Sequence, residues 1–103
     1  MIKEILTASG VLYAETQFMR TPTKTYAVYM DEVEADGPDD ANRIFNHDVT
    51  VELYEFKPDP EAEAAIEREL NARGIKWHKQ PRYWISSITQ YQVIYEFSYI
   101  EKI

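Results

Sequence analysis

Six carboxylates, on Asp31, Glu32, Glu34, Asp36, Asp39 and Asp40, fall within residues 31–42, a stretch that holds no base. Carboxylates grouped this way can do acid–base catalysis or bind a cation. Catalysis needs a group with a shifted pKa in a dry pocket. This stretch is polar throughout and carries Gly37-Pro38 at its centre, so it reads as a water-exposed loop, residues 31–43, that meets partners. Calcium binding needs the D-x-D-x-D-G spacing closed by a bidentate Glu, and DEVEADGPDDAN lacks it.

The remaining reactive residue types are sparse. Cysteine is absent, which removes disulfides, thiolate nucleophiles and cysteine metal sites. His47 and His78 stand on different predicted strands with no H-E-x-x-H spacing, so a zinc site would need carboxylates to complete it, and both read as strand-edge or surface histidines. Ser9, Ser86 and Ser87 lack the G-x-S-x-G turn that exposes a nucleophile. Neither a Walker A nor a G-x-G-x-x-G pattern occurs, and three glycines could hardly build a phosphate cradle. No catalytic, cofactor-binding or metal-binding set is therefore assigned.

Charge is segregated instead. Residues 71–82 carry Arg73, Lys76, Lys79 and Arg82 with no acid, interleaved or followed by Trp77, Tyr83 and Trp84. Such a stretch could stack the bases of a single strand. A net charge of −7 opposes it, and an edge strand guarded by lysine is the plainer account. The acidic and basic stretches together suit head-to-tail docking of one copy on another. Asp31, Glu32, Glu34, Asp36, Asp39, Asp40, Arg73, Lys76, Lys79 and Arg82 are accordingly the candidate interface.

The elements that must position these residues are legible in outline. A chain of 103 residues, 45% hydrophobic and 14% aromatic, reads as one packed domain over 1–103. Residues 2–9 predict a short amphipathic helix stopped by Gly10, rather than a signal peptide, and no apolar run is long enough to span a membrane. An extended segment from Val11 to Phe18 and a strand over TYAVYM, residues 25–30, come next. HDVTVELYEF, residues 47–56, alternates Val49, Val51 and Leu53 against Thr50, Glu52 and Tyr54, as a central strand does.

Asp59 and Pro60 open a helix over about 59–73, with Asp59 as N-cap, Pro60 at a position that needs no donor, and Gly74 as the stop. Ala62, Ala65, Ile66 and Leu70 give it a narrow apolar stripe. Residues 75–79 form an edge strand interrupted by Pro81, which RYWISS resumes. YQVIYEFSYI, residues 91–100, has Tyr, Val, Ile and Phe without Ala, Leu or Lys, which favours strand over helix. Its alternation puts Tyr91, Val93, Tyr95, Phe97 and Tyr99 on a core face and leaves Gln90, Gln92, Ile94, Glu96 and Ser98 for another subunit. The expected fold is α+β, a mostly antiparallel sheet of four to five strands with both helices on one face.

The order YAVYM, acidic stretch, VTVELYEFKPDPEAEAAIERELNARGIKW, then YQVIYEF, spanning Tyr26 to Phe97, resembles the tail-completion and tail-terminator-like head-tail joining proteins of long-tailed bacteriophages and prophages. The resemblance implies a small virion protein without an active site or cofactor, made in the host cytoplasm. It further implies a ring, commonly a hexamer, whose partners are itself, the tail tube and connector proteins, with an acidic lumen through which DNA slides. No membrane, small-molecule substrate or sequence-specific nucleic acid is implied. A contrasting expectation is a small acidic cytoplasmic regulator that imitates the charge of DNA; it requires acids spread over one continuous face.

Overall fold

The computed structural model describes residues 1–36 and 44–102; Asp39 and Asp40 of the acidic stretch lie outside the described residues. The elements are α1 (Ile2–Ser9), β1 (Leu12–Glu15), β2 (Tyr26–Asp36), β3 (Ile44–Glu55), α2 (Pro60–Ala72), β4 (Trp77–Lys79), β5 (Tyr83–Ile85) and β6 (Gln90–Lys102). The strands form one sheet in the order β1-β2-β3-β6-β4, with β5 also pairing β6. Only β1 with β2 is parallel; every other pair is antiparallel. This is the expected α+β fold, with six strands rather than four to five. The extra count comes from Pro81, which splits one edge strand into β4 and β5, each paired to its own stretch of β6.

Both helices end where local chemistry says they should. Gly10 takes φ 78° at the end of α1, a left-handed conformation that glycine adopts without a Cβ clash. The Asp59 carboxylate accepts from the Ala62 N–H at 3.1 Å and from the Thr25 hydroxyl at 2.6 Å, so one side chain caps α2 and ties it to the start of β2. Ile2, Ile5 and Leu6 from α1 and Ile66 and Leu70 from α2 pack on Ala27, Tyr29, Val49, Val51, Leu53, Val93, Tyr95 and Phe97 of the sheet. Each fully buried Leu or Ile contributes about 2 kcal/mol by leaving water.

β3 is the central strand and carries the register. Tyr29 and Tyr95 flank Val51 on the helix-covered face, and Met30, Thr50 and Glu96 form the next row on the bare face. The expected core face of β6 is present in Val93, Tyr95 and Phe97, with Tyr91 and Tyr99 half-buried towards the ends. On the other face Gln90 departs from expectation. It is buried and accepts from the Tyr26 hydroxyl at 2.9 Å, while Tyr26 stacks on Tyr54.

The acidic stretch is not a loop from its start. Residues 31–36 continue β2 and pair residue for residue with 44–49 of β3. Asp31, Val33 and Ala35 alternate with Glu32, Glu34 and Asp36, so a strand sends the first set to one face and the second to the other. β2, β3 and β6 thereby run on together past the helices as a three-stranded arm, in a molecule 49 Å long and 22 Å across its shortest axis.

Candidate functional site

The helix-covered face holds two charged clusters, one near each end of β3. At the arm end, His47 Nδ1 lies 2.9 Å from both carboxylate oxygens of Asp31 on β2, and Nε2 lies 3.1 Å from Glu101 Oε1 on β6. The ring stacks on Tyr99 with centroids 4.3 Å apart and planes 7° from parallel. His47 is 8% exposed, so the expected surface histidine is a buried one. The cause is register: His47 follows the Val49, Val51 and Leu53 set to the core face, and its cross-strand neighbours are Val33 and Tyr99. Burial alone lowers the His47 pKa, but the hydrogen bonds to Asp31 and Glu101 outweigh it and raise the group above its ordinary value. The two ring nitrogens point apart, so the carboxylates do not converge on one point. Among the described residues no group of three or more such side chains could hold a metal ion.

At the other end, Arg82 Nε lies 3.2 Å from Glu55 Oε1 and Arg82 Nη2 lies 2.6 Å from Glu63 Oε2. Lys79 Nζ is 2.8 Å from both Glu63 Oε1 and Glu67 Oε2, and 5.7 Å above the Tyr95 ring. Glu55 is fully buried, and its Oε2 has no hydrogen-bond partner. Burial and then the adjacent Glu63 push the Glu55 carboxyl up to about 7, against the pull of Arg82. A proton there gives Oε2 a donor to offer its neighbour. Burial also acts to raise Glu63, yet hydrogen bonds with Glu55, Lys79 and Arg82 hold it down at about 2. A shifted carboxyl in a pocket is the mark of an acid catalyst. Glu55 is enclosed, however, and the open concavity beside it, about 240 Å³, is lined by Glu63, Lys79, Gln80, Pro81, Arg82 and Val93.

Among the described candidate interface residues, most of the bases are paired within the chain. Arg73 pairs with Glu69 at 2.8 Å, while Lys79 and Arg82 are turned onto the carboxylates of β3 and α2. Lys76 is exposed and has no ion pair among the described residues. The acids divide as well. Asp31 faces His47, whereas Glu32 and Glu34 stand on the bare face with Asp48, Glu52 and Glu96. Among the described residues none of those five bare-face acids has an ion-pair partner. Asp36 closes β2 opposite Ile44.

No single residue type announced the His47 or Glu55 clusters. The alternation in 31–36 and in IFNHDV was the available signal for the first. For Glu55 and Arg82, 27 residues apart and joined only by the fold, there was none. No protein-family model matches this chain, and neither does any curated protein.

Proposed function

We propose that this chain is a non-enzymatic structural protein of a phage or prophage virion, completing the tail at the head-tail junction by assembling copies of itself into a ring on the tail tube. One observation carries the reading beyond the sequence resemblance. β1 covers the outer edge of β2 only over Tyr26–Tyr29, and β5 and β4 cover β6 only as far as Phe97. Along the arm, among the described residues, both outer edges are without a paired strand. An open edge is a row of unused donors and acceptors that a second chain can complete.

The two edges belong to different strands, so a contact that joins β2 of one copy to β6 of the next is head to tail. Such a contact gives a closed ring when the rotation between copies closes, and a filament otherwise. Exposed Val33 on β2 and Ile100 on β6 lie along these edges and favour contact over open water. Intramolecular pairing of Arg73, Lys79 and Arg82 moves the weight of the proposal from acid-to-base docking to the strand edges. The test is native mass spectrometry and light scattering of the pure protein, alone and mixed with tail tubes. A closed oligomer or tube binding is expected; a strict monomer that ignores tubes ends the reading.

A second reading is favoured by a different observation. The unpaired acids Glu32, Glu34, Asp48, Glu52 and Glu96 occupy one continuous sheet face, the arrangement that an acidic regulator imitating DNA requires. Residues two apart on a strand are separated by about 6.7 Å, on the scale of neighbouring phosphates. This reading predicts that the monomer displaces DNA from a nucleic-acid-binding protein and that raised salt abolishes the displacement. Under the leading reading the same face is turned towards the DNA path of the ring, and no such displacement occurs.

A further inference from the structure

We infer that a proton on His47 clamps the arm together across β2, β3 and β6, and that assembly through the arm's edges weakens as that proton is lost. The inference rests on the edge-assembly reading and adds its regulation. In the protonated ring both nitrogens donate, Nδ1 to Asp31 and Nε2 to Glu101, so one side chain on the middle strand ties down both outer strands. The neutral ring keeps a single donor. Its other nitrogen then turns a lone pair on a carboxylate.

The geometry decides which link fails. Asp31 approaches Nδ1 with both oxygens and its side chain is 15% exposed, whereas Glu101 offers one oxygen and is 53% exposed. Loss of the proton therefore releases Glu101, and with it residues 98–102 of β6, which no strand supports on the outer side among the described residues. Among the described residues, the charged groups that bear on this site are acidic: Asp31 from β2, Glu101 from β6, and Glu4 from α1. Tyr99, stacked on the ring, senses the same field. Burial first, then Asp31, Glu101, Glu4 and Tyr29, push its hydroxyl up to about 12. Among the described residues no base pairs with either carboxylate, so the His47 proton is the charge that offsets them there.

The experiment compares the full chain with His47→Gln and Glu101→Gln at about pH 6 and about pH 9, conditions that bracket the histidine's ordinary value. The His47 ring is titrated by NMR, amide exchange of residues 98–102 is corrected for intrinsic rate, and association is followed by sedimentation. Exchange protection of the wild-type segment is expected to fall about tenfold between the two conditions, the scale of one charge-assisted hydrogen bond, and association to weaken in parallel. His47→Gln is expected to lose that pH dependence. Glu101→Gln is the second variant, placed on an exposed side chain so that folding survives. It should show a smaller pH response than wild type. Identical pH profiles in wild type and His47→Gln overturn the inference, even if both assemble. A protein that never associates, yet whose 98–102 segment opens with pH, overturns the assembly reading while the ring titration still reports the clamp.

Discussion

The Tyr95 hydroxyl donates to Glu67 Oε2 at 2.7 Å, linking the middle of β6 to α2 across 28 residues. Tyr95 is fully buried, so its ring is the floor beneath the helix while its one polar atom is satisfied at the core's rim. The same carboxylate oxygen takes Lys79 at 2.8 Å, which joins the core to the charged cluster. Replacing Tyr95 by Phe keeps the ring and removes the bond. Stability should fall by about 1 kcal/mol, read by urea denaturation, because Glu67 keeps Lys79 as a partner. Burial and Glu67 both raise the Tyr95 pKa, so its phenol should be absent from a spectroscopic tyrosine titration of the folded protein.

The pH dependence of stability follows from three groups. Glu55, raised to about 7 in the fold, binds a proton that the unfolded chain gives up near 4.5, so stability falls as pH rises across that interval. His47, raised above 6.5, contributes stability that is complete below 6.5 and lost as pH climbs through its folded value. Glu63, lowered to about 2, contributes stability present above 4.5 and lost as pH falls from 4.5 towards 2. Denaturation midpoints should therefore be highest at about pH 5 and lower at about pH 8. Glu55→Gln should flatten part of the alkaline fall; a wild-type midpoint higher at the alkaline end would contradict the assignment.

Glu63 is the hub of its cluster, holding both Lys79 and Arg82. Its truncation leaves Glu55 beside a cation that has lost half its partners. Glu63→Ala should cost about 2–3 kcal/mol in urea denaturation, somewhat less than a fully buried pair because both cations are partly exposed. Glu69→Ala, which removes the half-buried partner of Arg73 on the solvent side of α2, should cost less than about 0.5 kcal/mol. Equal losses for the two would mean that the cluster has no special role.

Asp59 performs two tasks with one carboxylate, capping α2 and holding Thr25. Asp59→Ala should lose about 1–2 kcal/mol, and Asp59→Asn markedly less because the amide oxygen can still cap. Thermal melting followed by circular dichroism reads both. No difference between the variants would show the cap to be idle.

Assembly through the arm has its own signature. Ile100→Glu adds charge to the open edge of β6 without touching the buried core, so the melting temperature should stay within a few degrees while association falls. Sedimentation velocity measures it. An unchanged oligomer would place the contact elsewhere on the molecule.

Much of the fold was determined locally, and for that reason could be read from the sequence. Gly10, Asp59, Pro60 and Gly74 bound the helices through backbone conformations and caps that depend on a few adjacent residues. The alternation of Val49, Val51 and Leu53 and of Val93, Tyr95 and Phe97 fixed which face each strand buries. Only the tertiary structure decided the rest. Residues 31–36, whose acids and alanine give little strand preference of their own, extend β2 because their backbone groups find β3. His47 is enclosed because two carboxylates 70 residues apart, on Asp31 and Glu101, meet on either side of it. The Glu55 carboxyl is raised to about 7 because the fold buries it and α2 brings Glu63 beside it, against the pull of Arg82 from the β4–β5 connection. These are long-range pairings, set by register across the sheet, and nothing in the neighbouring residues encodes them.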